Sequence, residues 1–274
     1  MPLQATQAER QMASVSLATG VTLNYVEQGD ERGDAVILLH GWPDSWHSYA
    51  LVLPLLNPRH HVFALDQRGH GNSSKPACCY TMHHFAADVI AFLDAHRIDR
   101  ATVVGHSMGS VIAQLVAIHF PSRVSRLVLI GATPRAKNQI TDEVGAAVQP
   151  LTDPIDPEFV REFQMSTLYG AAPAEFMELI ISESLKAPAH VWRQAFDGVL
   201  QEETTTSLAK IGAPTLILWG DQDGLFPRSD QETLISLLPK ATLLVYEQAG
   251  HSLQWEQSER VAADLERFLA GSKL

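Results

Sequence analysis

One serine in this chain stands between two glycines at turn spacing: Gly105-His106-Ser107-Met108-Gly109. The pentapeptide follows the apolar run Ala101 to Gly105 and opens the helical pattern Ser110 to Phe120. A serine on such a strand-to-helix turn has its side chain thrown clear of the sheet. The backbone must fold tightly, so the positions two before and two after must lack bulk. The following helix turns its first amides and its positive dipole end toward any oxyanion that forms there. Ser107 is therefore the predicted nucleophile, and attack on a carbonyl is the chemistry it suits.

A serine hydroxyl needs a base to be useful as a nucleophile. Twelve histidines compete for that role. When the nucleophile sits on such a turn, its partners follow in the order acid, then histidine, on loops after late strands. His251 lies in Gln248-Ala249-Gly250-His251-Ser252, five residues after an apolar run ending at Tyr246. It is the predicted base, with Gly250 giving its loop freedom. His106 adjoins the serine but is expected to point away, and His40 is expected to be structural. His60, His61, His83, His84 and His96 lie in the first half of the chain, and His190 in a different region.

The acid should lie in Leu218-Trp219-Gly220-Asp221-Gln222-Asp223-Gly224. Asp223, further into the loop, is favoured to hold the imidazole tautomer and stabilise the imidazolium. Asp221 would then cap the loop. The earlier loop Gly131-Ala132-Thr133-Pro134 carries no carboxylate. A second oxyanion donor must come from His40-Gly41-Trp42-Pro43, after the run Ala35 to Leu39. The backbone N–H of Trp42 is expected to join that of Met108, and the Trp42 ring to wall the acyl pocket. Losing one such donor typically costs about a hundred- to a thousandfold in rate.

Those residues need a frame. Apolar strand patterns occur at Val21 to Gln28, Ala35 to Leu39, His61 to Asp66, Ala101 to Gly105, Val124 to Ile130, Thr215 to Trp219 and Ala241 to Tyr246. The first alternates apolar and polar residues, as an antiparallel edge strand does. Helical patterns at Met82 to His96, Ser110 to Phe120 and Ser258 to Leu269 lie between or after the strands. This alternation predicts an α/β fold, a mostly parallel doubly wound sheet with helices on both faces. It breaks between about Pro134 and Ile211. Helical patterns at Pro157 to Ser166, Pro173 to Leu185 and Ala189 to Leu200 replace it, with prolines near their starts. We expect a core domain of residues 1–133 and 207–274 and a helical cap insertion of residues 134–206.

The composition restricts the function classes. A length of 274 residues suits one domain with an insertion. The net charge of −11 disfavours nucleic acid and anionic membrane surfaces, which need clustered Lys and Arg. The opening MPLQATQAERQMASV lacks an apolar run of signal-peptide length, and no later run is long enough to span a membrane. Cys78 and Cys79 are the only cysteines. Sequence neighbours cannot easily meet ordinary disulfide geometry, so neither a disulfide framework nor a cysteine metal site is expected. A reducing cytoplasm is the expected setting. A monomer or homodimer acting on a small molecule fits these features.

Four blocks in order resemble the α/β-hydrolase superfamily in its capped form: His40 to Pro43, Asp66-Gln67-Arg68-Gly69-His70-Gly71-Asn72-Ser73, Gly105 to Gly109, and Asp223 with Gly250-His251. The resemblance spans nearly the whole chain and implies a structural turn at Asp66 to Ser73. The segment HGWPDSWHSY is similar to its counterpart in epoxide hydrolases and haloalkane dehalogenases. Those relatives use an aspartate nucleophile. Ser107 departs from that pattern and favours acyl transfer through an acyl-serine.

The resulting expectation is a serine carboxylesterase without metal or organic cofactor, acting on short- to medium-chain or aryl esters. Trp42, Tyr169, Trp192, Leu225 and Phe226 are the expected pocket residues. Lactone hydrolysis, cleavage of a carbon–carbon bond in vinylogous diketones, and perhydrolysis use the same triad and stay open. A ligand-sensing receptor on a hydrolase fold is the rival outside catalysis.

Overall fold

The computed structural model describes residues 10–272. The first nine residues, on which the reading of the opening segment largely rests, lie outside that range. The strands are β1 (Gln11–Ser16), β2 (Thr22–Gly29), β3 (Ala35–Leu39), β4 (His61–Leu65), β5 (Ala101–His106), β6 (Val124–Ile130), β7 (Thr215–Gly220) and β8 (Ala241–Tyr246). They form one sheet in the order β1-β2-β4-β3-β5-β6-β7-β8. The pairs β1–β2 and β2–β4 are antiparallel, and every later pair is parallel. The edge position expected for β2 belongs instead to β1. The sequence QMASVS of β1 is mostly exposed, so it carries little apolar signal.

The helices are α1 (Met82–Ala95), α2 (Met108–His119), α3 (Gln139–Val148), α4 (Pro157–Ser166), α5 (Ala174–Ser184), α6 (Ala189–Gln201), α7 (Arg228–Leu237), α8 (Leu253–Glu256) and α9 (Ser258–Leu269). Alternate residues of the central strands enter opposite cores. Ile37, Leu39 and Val103 pack with residues of α1, α2 and α7 on one face. Val36, Leu38 and Val104 pack with residues of α9 on the other. Burial on both faces explains the unbroken apolar runs of β3 and β7.

Four helices, α3 to α6, lie between β6 and β7. Their starts follow local rules. Pro157 opens α4 behind Asp156, whose carboxylate accepts the Glu158 N–H at 2.9 Å. Helix α3 was not foreseen; its large apolar residues are only Ile140, Val144 and Val148. It is started by a reciprocal cap between Asn138 and Thr141. Gly145 of α3 faces Phe196 and Leu200 of α6.

Against the expectation of no disulfide, the sulfurs of Cys78 and Cys79 are brought together. Neighbours in sequence cannot easily meet ordinary disulfide geometry, and Cys79 takes φ of +77°. Among the described residues, no helix is long and apolar enough to cross a membrane.

Candidate active site

Four loops meet at the carboxyl ends of the parallel strands, where ligands bind in open α/β sheets. Ser107 follows β5 at φ +52° and ψ −118°. For a residue with a Cβ this is costly backbone, held here by packing. The two flanking glycines are dictated by contact. A Cβ at Gly105 would overlap the Gly109 carbonyl, and one at Gly109 would overlap the Leu39 carbonyl of β3. The Ser107 N–H is tied to the Ile130 carbonyl at 3.0 Å, and the Ser107 carbonyl accepts from Ser110 N–H at 2.8 Å.

His251 follows β8, and its side chain is almost wholly buried. Its Nδ1 lies 2.9 Å from Asp223 Oδ2. The other Asp223 oxygen accepts the backbone N–H groups of Leu225 at 2.8 Å and Phe226 at 3.1 Å. A carboxylate held this way is an acceptor only, so Nδ1 carries the proton and Nε2 is the basic nitrogen. His251 Nε2 is buried and has no partner among the described residues. Asp221 does something else: its Oδ1 accepts the Gln248 N–H at 2.8 Å and pins the loop that precedes His251.

Gly250 does not use a glycine-only conformation, contrary to the sequence reading. Its requirement is steric. A Cβ there would lie 2.6 Å from Tyr169 N and 2.8 Å from Thr167 O. The positive φ in this loop belongs to Gln248, at +55°.

The loop after β3 carries Trp42, one of the two expected oxyanion donors. Gly41 abuts the turn, since a Cβ on it would lie 3.1 Å from Ser107 Cβ. Among the described residues, the backbone N–H groups of Trp42 and Met108 find no acceptor. The Trp42 ring packs on Trp192 at 4.8 Å, Phe196 at 4.5 Å and Phe163 at 5.0 Å between centroids. His40 is fully buried, accepts the Gln67 N–H at Nε2 and donates from Nδ1 to the Gly41 carbonyl. Burial holds it well below the usual imidazole range. It braces the loop as a neutral ring.

A cavity joins these groups. Trp42, Ser107, Met108 and His251 line its floor, with Leu225 and Phe226 at the side. The inserted helices cover it through Val144, Phe163, Gln164, Phe196 and Val199. Two expected pocket residues are not on this wall. Tyr169 is 57 % exposed, because Gly250 and Glu256 hold its backbone and leave the ring outside. Trp192 is fully buried behind Trp42, whose indole N–H donates to the Trp192 carbonyl at 3.2 Å.

Among the cavity residues that were not anticipated, two are titratable. His106 lines it, with Nε2 3.2 Å from the His251 carbonyl and Nδ1 unpartnered among the described residues. Burial and the neighbouring His251 keep it neutral. Asp44 is buried in the cavity wall, accepting from Gln164 and Ser48. Burial raises its carboxyl to about 7. Its signal in the sequence was only an aspartate two residues beyond Trp42, in a loop already busy with another task.

The family model described as alpha/beta hydrolase fold matches residues 34–258, and the chain belongs to that family. A non-heme haloperoxidase of Rhodococcus erythropolis is 29 % identical over 276 residues, covering 94 % of this chain and 99 % of that one. A 2-hydroxymuconate semialdehyde hydrolase of Pseudomonas sp. (strain CF600) is 28 % identical over 283 residues, covering 98 % and 97 %. The solved esterase of Exiguobacterium antarcticum superposes with a TM-score of 0.87 at 24 % identity, covering 95 % of this chain and all of that one. That likeness speaks to fold alone.

Proposed function

We propose that this member of the family is a carboxylic ester hydrolase working through an acyl-serine. The observation that carries the reading is the state of His251: Nδ1 is tied to Asp223 at 2.9 Å, while buried Nε2 is left free beside Ser107 in one cavity. Ser107 Oγ attacks the ester carbonyl carbon, and its proton goes to His251 Nε2. The amides of Trp42 and Met108 hold the oxyanion. His251 returns the proton to the departing alcohol as the carbon–oxygen bond breaks. Water, deprotonated by the same nitrogen, then cleaves the acyl-serine. Residues 134–206 act as a cap whose apolar side chains select short- to medium-chain or aryl groups.

The names of two relatives favour a second reading with the same machinery. A haloperoxidase and a semialdehyde hydrolase at similar identity keep perhydrolysis and carbon–carbon bond cleavage in play, beside lactone hydrolysis. Purified protein assayed on p-nitrophenyl esters, simple lactones, a ring-fission diketone and peroxide-supplemented ester separates them. Esters are expected to turn over fastest. Ser107→Ala should lose about a thousandfold or more. Ester activity that survives this substitution would overturn the proposal. Tight binding with negligible turnover would support a receptor instead.

A further inference from the structure

The proposed ester hydrolysis has no use for Asp44, yet the residue is only 2 % exposed and lines the cavity with Ser107 and His251. Burying such a group is costly unless partners compensate. Its Oδ1 accepts Gln164 Nε2 at 2.9 Å, and its Oδ2 accepts Ser48 Oγ at 3.2 Å. Gln164 spends its second amide proton on Ser184 Oγ at 2.9 Å. It therefore holds the carboxyl in place and offers no proton of its own to a ligand. Ser48 is fixed in turn by the Trp255 indole N–H at 3.1 Å. A carboxyl group has about four sites for hydrogen bonds, and the protein fills two. The protein leaves the others unfilled, and Asp44 is among the residues that line the cavity.

We infer that Asp44 is a binding subsite for a hydroxyl group of the substrate, so that hydroxy-substituted esters and lactones are preferred over their deoxy counterparts. This rests on the proposed ester-hydrolase reading. A neutral hydroxyl suits this mainly apolar cavity, whose wall includes Trp42, Val144, Phe163, Phe196 and Leu225, better than a charged ammonium, which must shed its hydration to enter. A hydroxyl needs one partner and can donate to the carboxylate or accept from the carboxylic acid. A site built to bond a hydroxyl rejects the analogue that lacks it far more strongly than an apolar pocket rejects a missing methylene.

The test is a pH-stat assay of methyl butanoate beside its 2-, 3- and 4-hydroxy derivatives, with glycol monobutanoate for a hydroxyl on the alcohol side. An amino-substituted ester serves as the cationic arm. Wild type is expected to favour at least one hydroxy ester about tenfold or more in kcat/KM. In Asp44→Leu, which offers no hydrogen bond, that ratio should fall toward one. The wild-type ratio stands as a test even if a variant fails to fold. A wild-type ratio near one for every hydroxy ester, a ratio unchanged in a folded variant, or preference for the amino ester overturns the inference. In those cases Ser107-dependent hydrolysis of methyl butanoate leaves the hydrolase reading intact. Absence of any ester turnover overturns both.

Discussion

Asp221 and Asp223 are two residues apart, and they have separate tasks. Asp223 spends one oxygen on His251 and the other on two loop amides. Asp221 spends its oxygen on the Gln248 N–H. Asp223→Asn should leave the loop standing and cost about 10⁴-fold in kcat, because an amide can present the wrong group to Nδ1. Asp221→Asn should stay within about tenfold. Steady-state kinetics of the two variants on one ester reads this directly, and a larger loss at Asp221 reverses the assignment. The acid was legible to the level of a pair, since both candidates follow the same strand. Which one meets the imidazole depends on a turn whose shape is set by Leu225 and Phe226.

At the level of elements, the base loop and the insertion are joined. Gly250 lies against the backbone of Thr167 and Tyr169. Ser252 bonds Thr167 twice, N–H to carbonyl at 3.1 Å and hydroxyl to hydroxyl at 2.9 Å. Gly250→Ala puts a methyl onto backbone that cannot rotate away. It should cost about 1–3 kcal/mol of stability, as overpacking does, and lower kcat by displacing His251. A thermal melt together with ester kinetics checks both parts. An unchanged melt would show that the insertion yields freely at this joint. Removing Phe196, which stacks on Trp42, should cost about 3–5 kcal/mol as Phe196→Ala. That loss belongs to the joint between α6 and the oxyanion loop.

Across the whole molecule, two buried carboxyls between core and insertion respond to pH in opposite senses. Burial raises Asp44 to about 7. Its unfolded form ionises first, so as pH rises through 4 to 7 the unfolded state is increasingly favoured. Asp44→Asn should therefore gain stability relative to wild type over that window and level off above it. Glu183 on α5 is also buried, which by itself raises its carboxyl. The His47 ring of the core, 3.5 Å away, and a hydrogen bond from Lys186 outweigh burial and bring it down to about 2. Its contribution is present above the ordinary carboxylate range and is lost as pH falls toward 2. Glu183→Gln should be less stable than wild type at pH 5 and above, and the gap should close by about pH 2. Melting temperatures of the three proteins from pH 2 to 8 measure both trends.

The sequence by itself determined the strands from β2 onward, the serine turn and the late histidine loop. Their signals are local: unbroken apolar runs for strands covered on both faces, two glycines where Cβ atoms would strike backbone, and a fixed chain order. It also placed three of the four inserted helices by their proline starts. Only the tertiary structure decided what those helices cover. Phe163 and Gln164 reach the cavity from α4, whereas Tyr169, a few residues on, is left in solvent. It alone decided that Asp44 is buried, because the group that buries it, Gln164, lies 120 residues away. Periodicity reports which face of an element is apolar. Which polar group ends up enclosed is set when two distant elements meet, and no spacing along the chain records that meeting.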